Sequence, residues 1–248
     1  MITIPPLVDF MKAGVHFGHA VAKRHPKMSP SIFTARNGVH IIDLEKTVVV
    51  LQSALEFVHH LAASGQTIVF VGSKRQAQEI VKKAAIECGM PYVTTRWLGG
   101  TITNFSVLKK LLKKYHDLTR KREKGELTKY TKKEQLEFER EIIRLEESVG
   151  GIANLEKIPD ALFVVDIKHE ETAVREALKK KIPIVAMCDT NVNPTGIAYC
   201  IPANDDATKS IELITSLVAA AAREGTAYRK EHAVAAEVKA APATEAGN

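Results

Sequence analysis

The chain is poor in cysteine and in long apolar runs. Its 248 residues include three cysteines, Cys88, Cys188 and Cys200, and no two of them form a C-x-x-C pair. This spacing favours free thiols in a reducing cytoplasm over a disulfide framework. No apolar run approaches the roughly 20 residues that cross a bilayer, and the first residues show no secretory or transit pattern. The sequence therefore predicts a cytoplasmic protein.

Glycine is scarce at the one junction where a nucleotide site would need it. The segment I-V-F-V-G-S-K-R-Q-A-Q-E-I (68–80) passes from an apolar strand through Gly72 into a helical pattern. A dinucleotide fingerprint needs three glycines and a P-loop needs G-K-[ST] after a second glycine, so we predict that no diphosphate binds here. Ser73 is expected to cap a helix that begins at about Lys74. Lys74 and Arg75 are predicted to be surface cations that face RNA or a neighbouring protein; a single phosphate at the helix N-terminus is the alternative.

Charge gives the first positive indication of a partner. The chain has 35 Lys and Arg against 29 Asp and Glu, a formal net charge of +6, and a pI of about 9.1. An excess of positive charge favours polyanions such as nucleic acid, although ordinary enzymes also reach this value.

The apolar pattern predicts an α/β protein. Short, fully apolar segments alternate with amphipathic helical stretches, and this alternation is typical of a parallel sheet covered by helices on both faces. The predicted fold is a Rossmann-like three-layer α/β/α sandwich with a mainly parallel sheet, built from residues 1–104 and 151–228. The predicted strands are 67–71, 91–95, 161–166, 183–188 and 198–202.

Residues 105–150 interrupt this alternation. Two helical stretches carry only a narrow apolar stripe each, which predicts an inserted antiparallel coiled-coil hairpin. The first arm and the tip are rich in lysine and the second arm is rich in glutamate, so the two arms attract each other. After about residue 229 the chain is Ala-rich without an apolar stripe, and residues 229–248 are predicted to be a disordered tail.

Neither catalytic residues nor a metal site are predicted. His16 and His19 lie three residues apart, but no paired cysteines complete the four ligands of a structural zinc site. Asp189, Asp205 and Asp206 could approach one another at strand ends, although turn and cap roles are commoner for such residues. Metal binding at either group is left as the alternative, and no cofactor is predicted.

Three basic segments are candidates for nucleic-acid binding. They comprise Lys23, Arg24 and Lys27 in a Pro-punctuated loop; Arg96, Trp97 and Asn104 in R-W-L-G-G-T-I-T-N (96–104); and the hairpin lysines Lys109, Lys110, Lys113 and Lys114. Arginine can fork onto a phosphate, and an exposed indole can stack on a base. Trp97 could equally be a core anchor. Because the cations are spread over several elements, phosphate contacts with little reading of base identity are expected.

Several long motifs resemble one known family. In order, they are H-F-G-H (16–19), N-G-V-H-I-I-D-L-E-K-T (37–47), F-V-G-S-K-R-Q-A-Q (70–78), R-W-L-G-G-T-I-T-N (96–104), P-D-A-L-F-V-V-D (159–166) and P-I-V-A-M-C-D-T-N-V-N-P (183–194). Together they resemble the bacterial form of the family of the second protein of the small ribosomal subunit. The resemblance runs from about residue 2 to 225.

The resemblance implies a function without catalysis. It implies a structural protein of the bacterial ribosome that binds small-subunit rRNA at the junction of head and body. It also implies contacts with neighbouring ribosomal proteins and a part in recruiting the large, mRNA-binding first protein of the subunit. No membrane association and no homo-oligomer are expected. An enzyme that uses a nucleotide or a phosphosugar on a similar sheet is the alternative.

Overall fold

The computed structural model describes the backbone of residues 3–240 and the side chains up to residue 232. The chain begins with helix α1 (Leu7–Lys12) and three short strands, β1 (Phe17–Ala20), β2 (Ile32–Arg36) and β3 (Val39–Ile42). These strands form an antiparallel sheet in the order β1-β3-β2. Asn37 and Gly38 join β2 to β3 with φ angles of 51° and 75°. Two positive φ angles are what a tight hairpin turn needs, and Asn-Gly is a residue pair that readily supplies them.

The remaining elements form the large sheet and its helices. In chain order they are α2 (Leu44–Ala63), β4 (Ile68–Val71), α3 (Gln78–Cys88), β5 (Tyr92–Val93), α4 (Phe105–Glu123), α5 (Lys132–Val149), β6 (Ala161–Val165), α6 (Glu171–Lys179), β7 (Ile184–Cys188), β8 (Tyr199–Pro202) and α7 (Thr208–Ala240). Strands β4 to β8 are parallel in the order β5-β4-β6-β7-β8. We call the side where these strands end the carboxyl edge, and the side where they begin the amino edge.

Both faces of the parallel sheet are buried. Phe70 and Phe163 belong to a core cluster with the apolar sides of α2, α3 and α7. Their neighbours Val69 and Leu162 point to the other face and join a cluster with α6 and the base of the hairpin α4–α5. Adjacent residues of a strand point to opposite faces, so all-apolar strands are required here. The predicted α/β/α architecture with an inserted helical hairpin is confirmed.

Two predicted boundaries differ from the structure. Helix α3 begins at Gln78 and not at Lys74, because residues 74–77 form a turn. Helix α7 continues to Ala240, so residues 229–240, which were predicted to be disordered, are helical. This stretch is rich in alanine, the residue with the highest helix propensity, and needs no apolar stripe to extend an existing helix. Residues 241–248 lie outside the described part of the chain.

Within residues 3–240, no helix has both the length and the apolar composition needed to span a bilayer.

Candidate nucleic-acid interface

The basic loop after β1 is held at the carboxyl edge of the sheet. The backbone N–H of His25 donates to the carbonyl oxygen of Thr190, two residues beyond β7, at 2.9 Å. Lys27 donates from Nζ to Thr195 Oγ1 at 2.6 Å. Lys23 and Arg24 are exposed. All three cations of the loop are therefore exposed, and Lys27 is in addition held by the segment that follows β7.

The loop after β5 also leaves the carboxyl edge, but its tryptophan does not face solvent. Arg96 and Asn104 are exposed, whereas Trp97 is 6% exposed and packs in the core with the base of the hairpin. The indole Nε1–H points at Glu176 Oε1, 3.3 Å away. Trp97 was predicted either to stack on an RNA base or to anchor the core; the burial of its ring supports the second role and argues against the RNA contact.

One buried carboxylate organises this whole loop. Oε1 of Glu176 accepts from the Gly100 N–H at 2.6 Å as well as from Trp97. Oε2 accepts from the N–H of Ile102 at 3.0 Å, the N–H of Thr103 at 2.9 Å and the Thr103 hydroxyl at 3.0 Å. Burial favours the neutral acid, but the hydrogen bonds from Thr103, Gly100 and Ile102 outweigh it and lower the pKa of Glu176. The position of Arg96 and the start of α4 therefore depend on a residue of α6.

The lysines of the hairpin form an exposed face on α4. Lys109, Lys110 and Lys113 are exposed, whereas Lys114 pairs with Glu141 of α5 at 2.6 Å. Buried leucines of α4, including Leu112, pack with apolar residues of α5 beneath them. The pairing of the arms thus uses Lys114 and leaves the other three ammonium groups facing solvent.

Lys74 is not the surface cation that the sequence predicted. Its Nζ lies 3.1 Å from Asp166 Oδ2, 3.1 Å from Asp205 Oδ1 and 2.6 Å from Asp206 Oδ1, and its side chain is 15% exposed. Burial alone would lower the pKa of Lys74, but these carboxylates raise it above its ordinary value. Burial, with Asp166 and Asp189 nearby, raises the pKa of Asp205 to about 7. Of the two cations predicted to lie at the surface here, Lys74 and Arg75, only Arg75 is exposed.

The strand–glycine junction is filled by protein groups. It lies between β4 and β6, the point where a sheet with this strand order binds ligands in other proteins. Here both the N–H and the hydroxyl of Ser73 donate to Glu170 Oε1, at 2.7 and 2.5 Å. The prediction that Ser73 caps the helix is therefore wrong, because its side chain bonds to Glu170 and not to the first turn of α3. A Cβ on Gly72 would lie 2.8 Å from Val81 Cγ2, so this glycine allows α3 to pack closely on the strand. The donors of Ser73 and Lys74 that could hold a phosphate are thus engaged by carboxylates.

His19 lies among the aspartates of the carboxyl edge. Its Nδ1 is 2.9 Å from Asp189 Oδ2 and its Nε2 is 3.4 Å from Asp206 Oδ2. The hydrogen bond with Asp189 is the largest cause of the raised pKa of His19, and burial opposes it. One ligand atom from each of His19, Asp189, Asp205 and Asp206 lies within 4.8 Å of the others, a donor set that can bind a divalent cation. The sequence analysis considered His16 and His19 as one candidate metal site and the three aspartates as another. In the structure His19 lies with the aspartates, and His16 is not part of the cluster.

The structure thus places the two basic loops at the same edge of the sheet without merging them into one groove. The loop of Lys23 and Arg24 lies beyond β7, and that of Arg96 follows β5. These strands are three positions apart in the sheet, which is about 14 Å at the usual spacing. Such spacing suits contacts with separate phosphates of a large polyanion.

Two acids that shape this edge were missed by the sequence reasoning. Glu170 is 3% exposed and Glu176 is 8% exposed. Glu176 follows Ala173 by three residues and precedes Ala177 by one, so it lies on the buried stripe of α6. The sequence did contain a signal for this contact. A carboxylate in the apolar stripe of a helix needs buried hydrogen-bond donors, which here come from the loop after β5.

The comparisons with known proteins agree with the fold. The family model described as ribosomal protein S2 matches residues 10–225. Small ribosomal subunit protein uS2 of Chloroflexus aurantiacus is 48% identical over 222 residues, which cover 90% of this chain and 93% of the relative. Its counterpart in Chloroflexus aggregans is 49% identical over the same coverage. The chain belongs to the ribosomal protein S2 family, whose members are structural components of the ribosome and not enzymes.

Proposed function

We propose that this protein is a structural constituent of the small subunit of a bacterial cytoplasmic ribosome, where it binds rRNA through phosphate contacts at the junction of head and body. The observation that carries the proposal is the set of exposed cations at the carboxyl edge and on α4. They include Lys23, Arg24, Lys27, Arg96, Lys109, Lys110 and Lys113. Cations on separate elements neutralise phosphates without reading base edges, which supports positioning over sequence recognition. Asn104, exposed beside Arg96, can add a hydrogen bond to a phosphate or ribose.

The triple variant K109Q/K110Q/K113Q tests the α4 face. It keeps Lys114, whose bond to Glu141 holds the arms together, and glutamine preserves helix propensity. Small subunits lacking this protein are rebuilt with each variant, and bound protein is measured across a salt series. We plot the logarithm of the association constant against the logarithm of the salt concentration. The slope of this plot should become shallower by about 2 to 3, because each lost phosphate contact reduces the slope by about 0.7 to 0.9.

The matched control is K82Q/K83Q/K209Q, which changes three exposed lysines on α3 and α7. It should behave as the wild type. Retention of the α4 variant with an unchanged salt slope would show that this face contacts no phosphate.

We further propose that the small antiparallel sheet supplies the surface that recruits the large, mRNA-binding first protein. Phe33 on β2 is 75% exposed and Phe17 on β1 is 49% exposed. Phe17 on β1 lies opposite Ile41 of the central strand β3. On the other side of β3, Thr34 of β2 pairs with the same Ile41, and Phe33 is the residue before it. Two exposed rings at one level of a sheet are typical of a docking surface for a protein partner.

Replacing both rings, in F17T/F33T, is expected to weaken binding of the first protein to rebuilt subunits at least tenfold. Threonine keeps strand propensity, and the free energy of unfolding should change little because both rings are exposed. V49T is the control, since Val49 is 67% exposed on α2. Equal binding of the first protein by F17T/F33T and the control would rule out this sheet as its docking surface.

A further inference from the structure

A groove at the amino edge of the sheet has no part in the contacts above. It has a volume of about 1120 Å³ and lies between α7, the turn after α5 and the segments that lead into β4, β5 and β6. The cationic side chains that line it are Lys157, Arg223, Arg229 and Lys230, and the acidic ones are Glu87 and Glu156. The groove therefore has an excess of positive charge.

One face of α7 forms the long wall of the groove. Arg223, Thr226, Ala227 and Lys230 all line it, and their spacing of i, i+3, i+4 and i+7 places them on a single helical stripe. The two cations are separated by about 10 Å along the helix axis, with small side chains between them. An extended polymer can lie along such a wall and meet a charge at each end.

Arg229 adjoins a group of rings beside the groove, of which Tyr228 and His232 are exposed and His59 is half-buried. Its guanidinium lies directly over Gly65, in the turn between α2 and β4. Tyr228, which precedes Arg229 on α7, is 50% exposed. Its ring lies 4.1 Å from the ring of His232 and 6.1 Å from that of His59. Exposed rings beside arginine and lysine are the combination that binds single-stranded nucleic acid, through stacking and phosphate contacts together.

We propose that this groove is a second rRNA-binding site, which holds a single-stranded segment by its phosphates on the side of the molecule away from the first site. The inference rests on the proposed function, because it takes rRNA as the polyanion. It adds that the protein is held between two RNA segments, one at each edge of the sheet. Charge complementarity favours RNA over an apolar peptide at the cationic wall, and the rings favour unpaired bases.

The first test removes the charges of the wall. The variant R223Q/R229Q/K230Q and the control K82Q/K83Q/K209Q, with the same number of exposed cations changed elsewhere, are rebuilt into small subunits that lack this protein. Counterion release from three single-strand phosphate contacts corresponds to roughly 50-fold weaker binding at 0.15 M salt and a salt slope lower by about 2. The control should match the wild type, and thermal unfolding of each free protein checks that the fold is kept.

The second test identifies the occupant. A photo-crosslinking amino acid at Ala227, on the wall between the cations, should crosslink to rRNA in rebuilt subunits. A crosslink to a ribosomal protein would overturn the proposal, as would normal retention of the groove variant. If the α4 variant loses binding and the groove variant does not, only this inference fails. If neither variant loses binding, the proposed function fails with it.

Discussion

Replacing Lys74 with methionine is expected to lower the free energy of unfolding by about 3 to 5 kcal/mol. Lys74 neutralises Asp166, Asp205 and Asp206, and its side chain is only 15% exposed. Methionine retains the length of the side chain and removes the charge, which leaves Asp166 and Asp205 without their cationic partner. Removing one partner of a buried ionic group typically costs this much. Equilibrium unfolding in urea measures the change.

Two further variants separate charge from packing at this position. Arg75→Met changes the neighbouring exposed cation and should alter stability by no more than about 0.5 kcal/mol. Measured well above pH 7, because the pKa of Asp205 is already raised to about 7, Lys74→Met combined with Asp205→Asn should recover part of the loss, since one of the stranded carboxylates is then neutral. If Lys74→Met behaves like Arg75→Met, the ionic group at the carboxyl edge contributes nothing to the fold.

Replacing Glu176 with glutamine is expected to cost about 3 kcal/mol or more and to loosen the loop that carries Arg96. Each carboxylate oxygen accepts at least two hydrogen bonds, so an amide NH₂ in either position would face donors. Buried donors left without an acceptor cost about 1 to 3 kcal/mol each. Trp97 is the only tryptophan of the chain, so its fluorescence reports this loop directly. Its emission should shift to longer wavelength as water reaches the indole.

The cost of Glu176→Gln should also depend on pH in a defined direction. The pKa of Glu176 in the folded protein is lowered from its ordinary value of 4.5. The stabilisation by the carboxylate is therefore fully present above pH 4.5 and is lost as pH falls through the folded-state pKa. The stability difference between wild type and Glu176→Gln should be constant near neutral pH and should shrink in acid. Glu171→Gln, an exposed acid on the same helix, is the control. A difference that does not change with pH would mean that the charge of Glu176 is not what holds the loop.

The architecture was predictable because the central strands of the parallel sheet, β4, β6 and β7, are apolar along their whole length. Such strands can only lie in a sheet with both faces covered, and the change to narrow stripes at residue 105 marks the hairpin. Local signals also succeeded where the chemistry is local: Asp43 accepts from the N–H groups of Glu45 and Lys46 and caps α2, as its position before the helix predicts.

The site was harder to predict because its partners are distant in the sequence. Lys74 meets acids 92 and 131 residues further along the chain, and Trp97 meets Glu176 across 79 residues. A single sequence shows that these residues are charged or aromatic, but only the folded chain shows which of them face each other. For this reason Lys74 was predicted to face RNA or a neighbouring protein and Trp97 to meet either RNA or the core, whereas the structure engages both within the protein and leaves Arg75, Arg96 and lysines of α4 exposed.

Sedimentation of a cell lysate through a magnesium-containing gradient tests the central claim most directly. A structural ribosomal protein should migrate with the small subunit in stoichiometric amount and should leave it as salt is raised, since phosphate contacts weaken with salt. Recovery of the protein at low mass at the top of the gradient, with a nucleotide bound to it, would contradict the account.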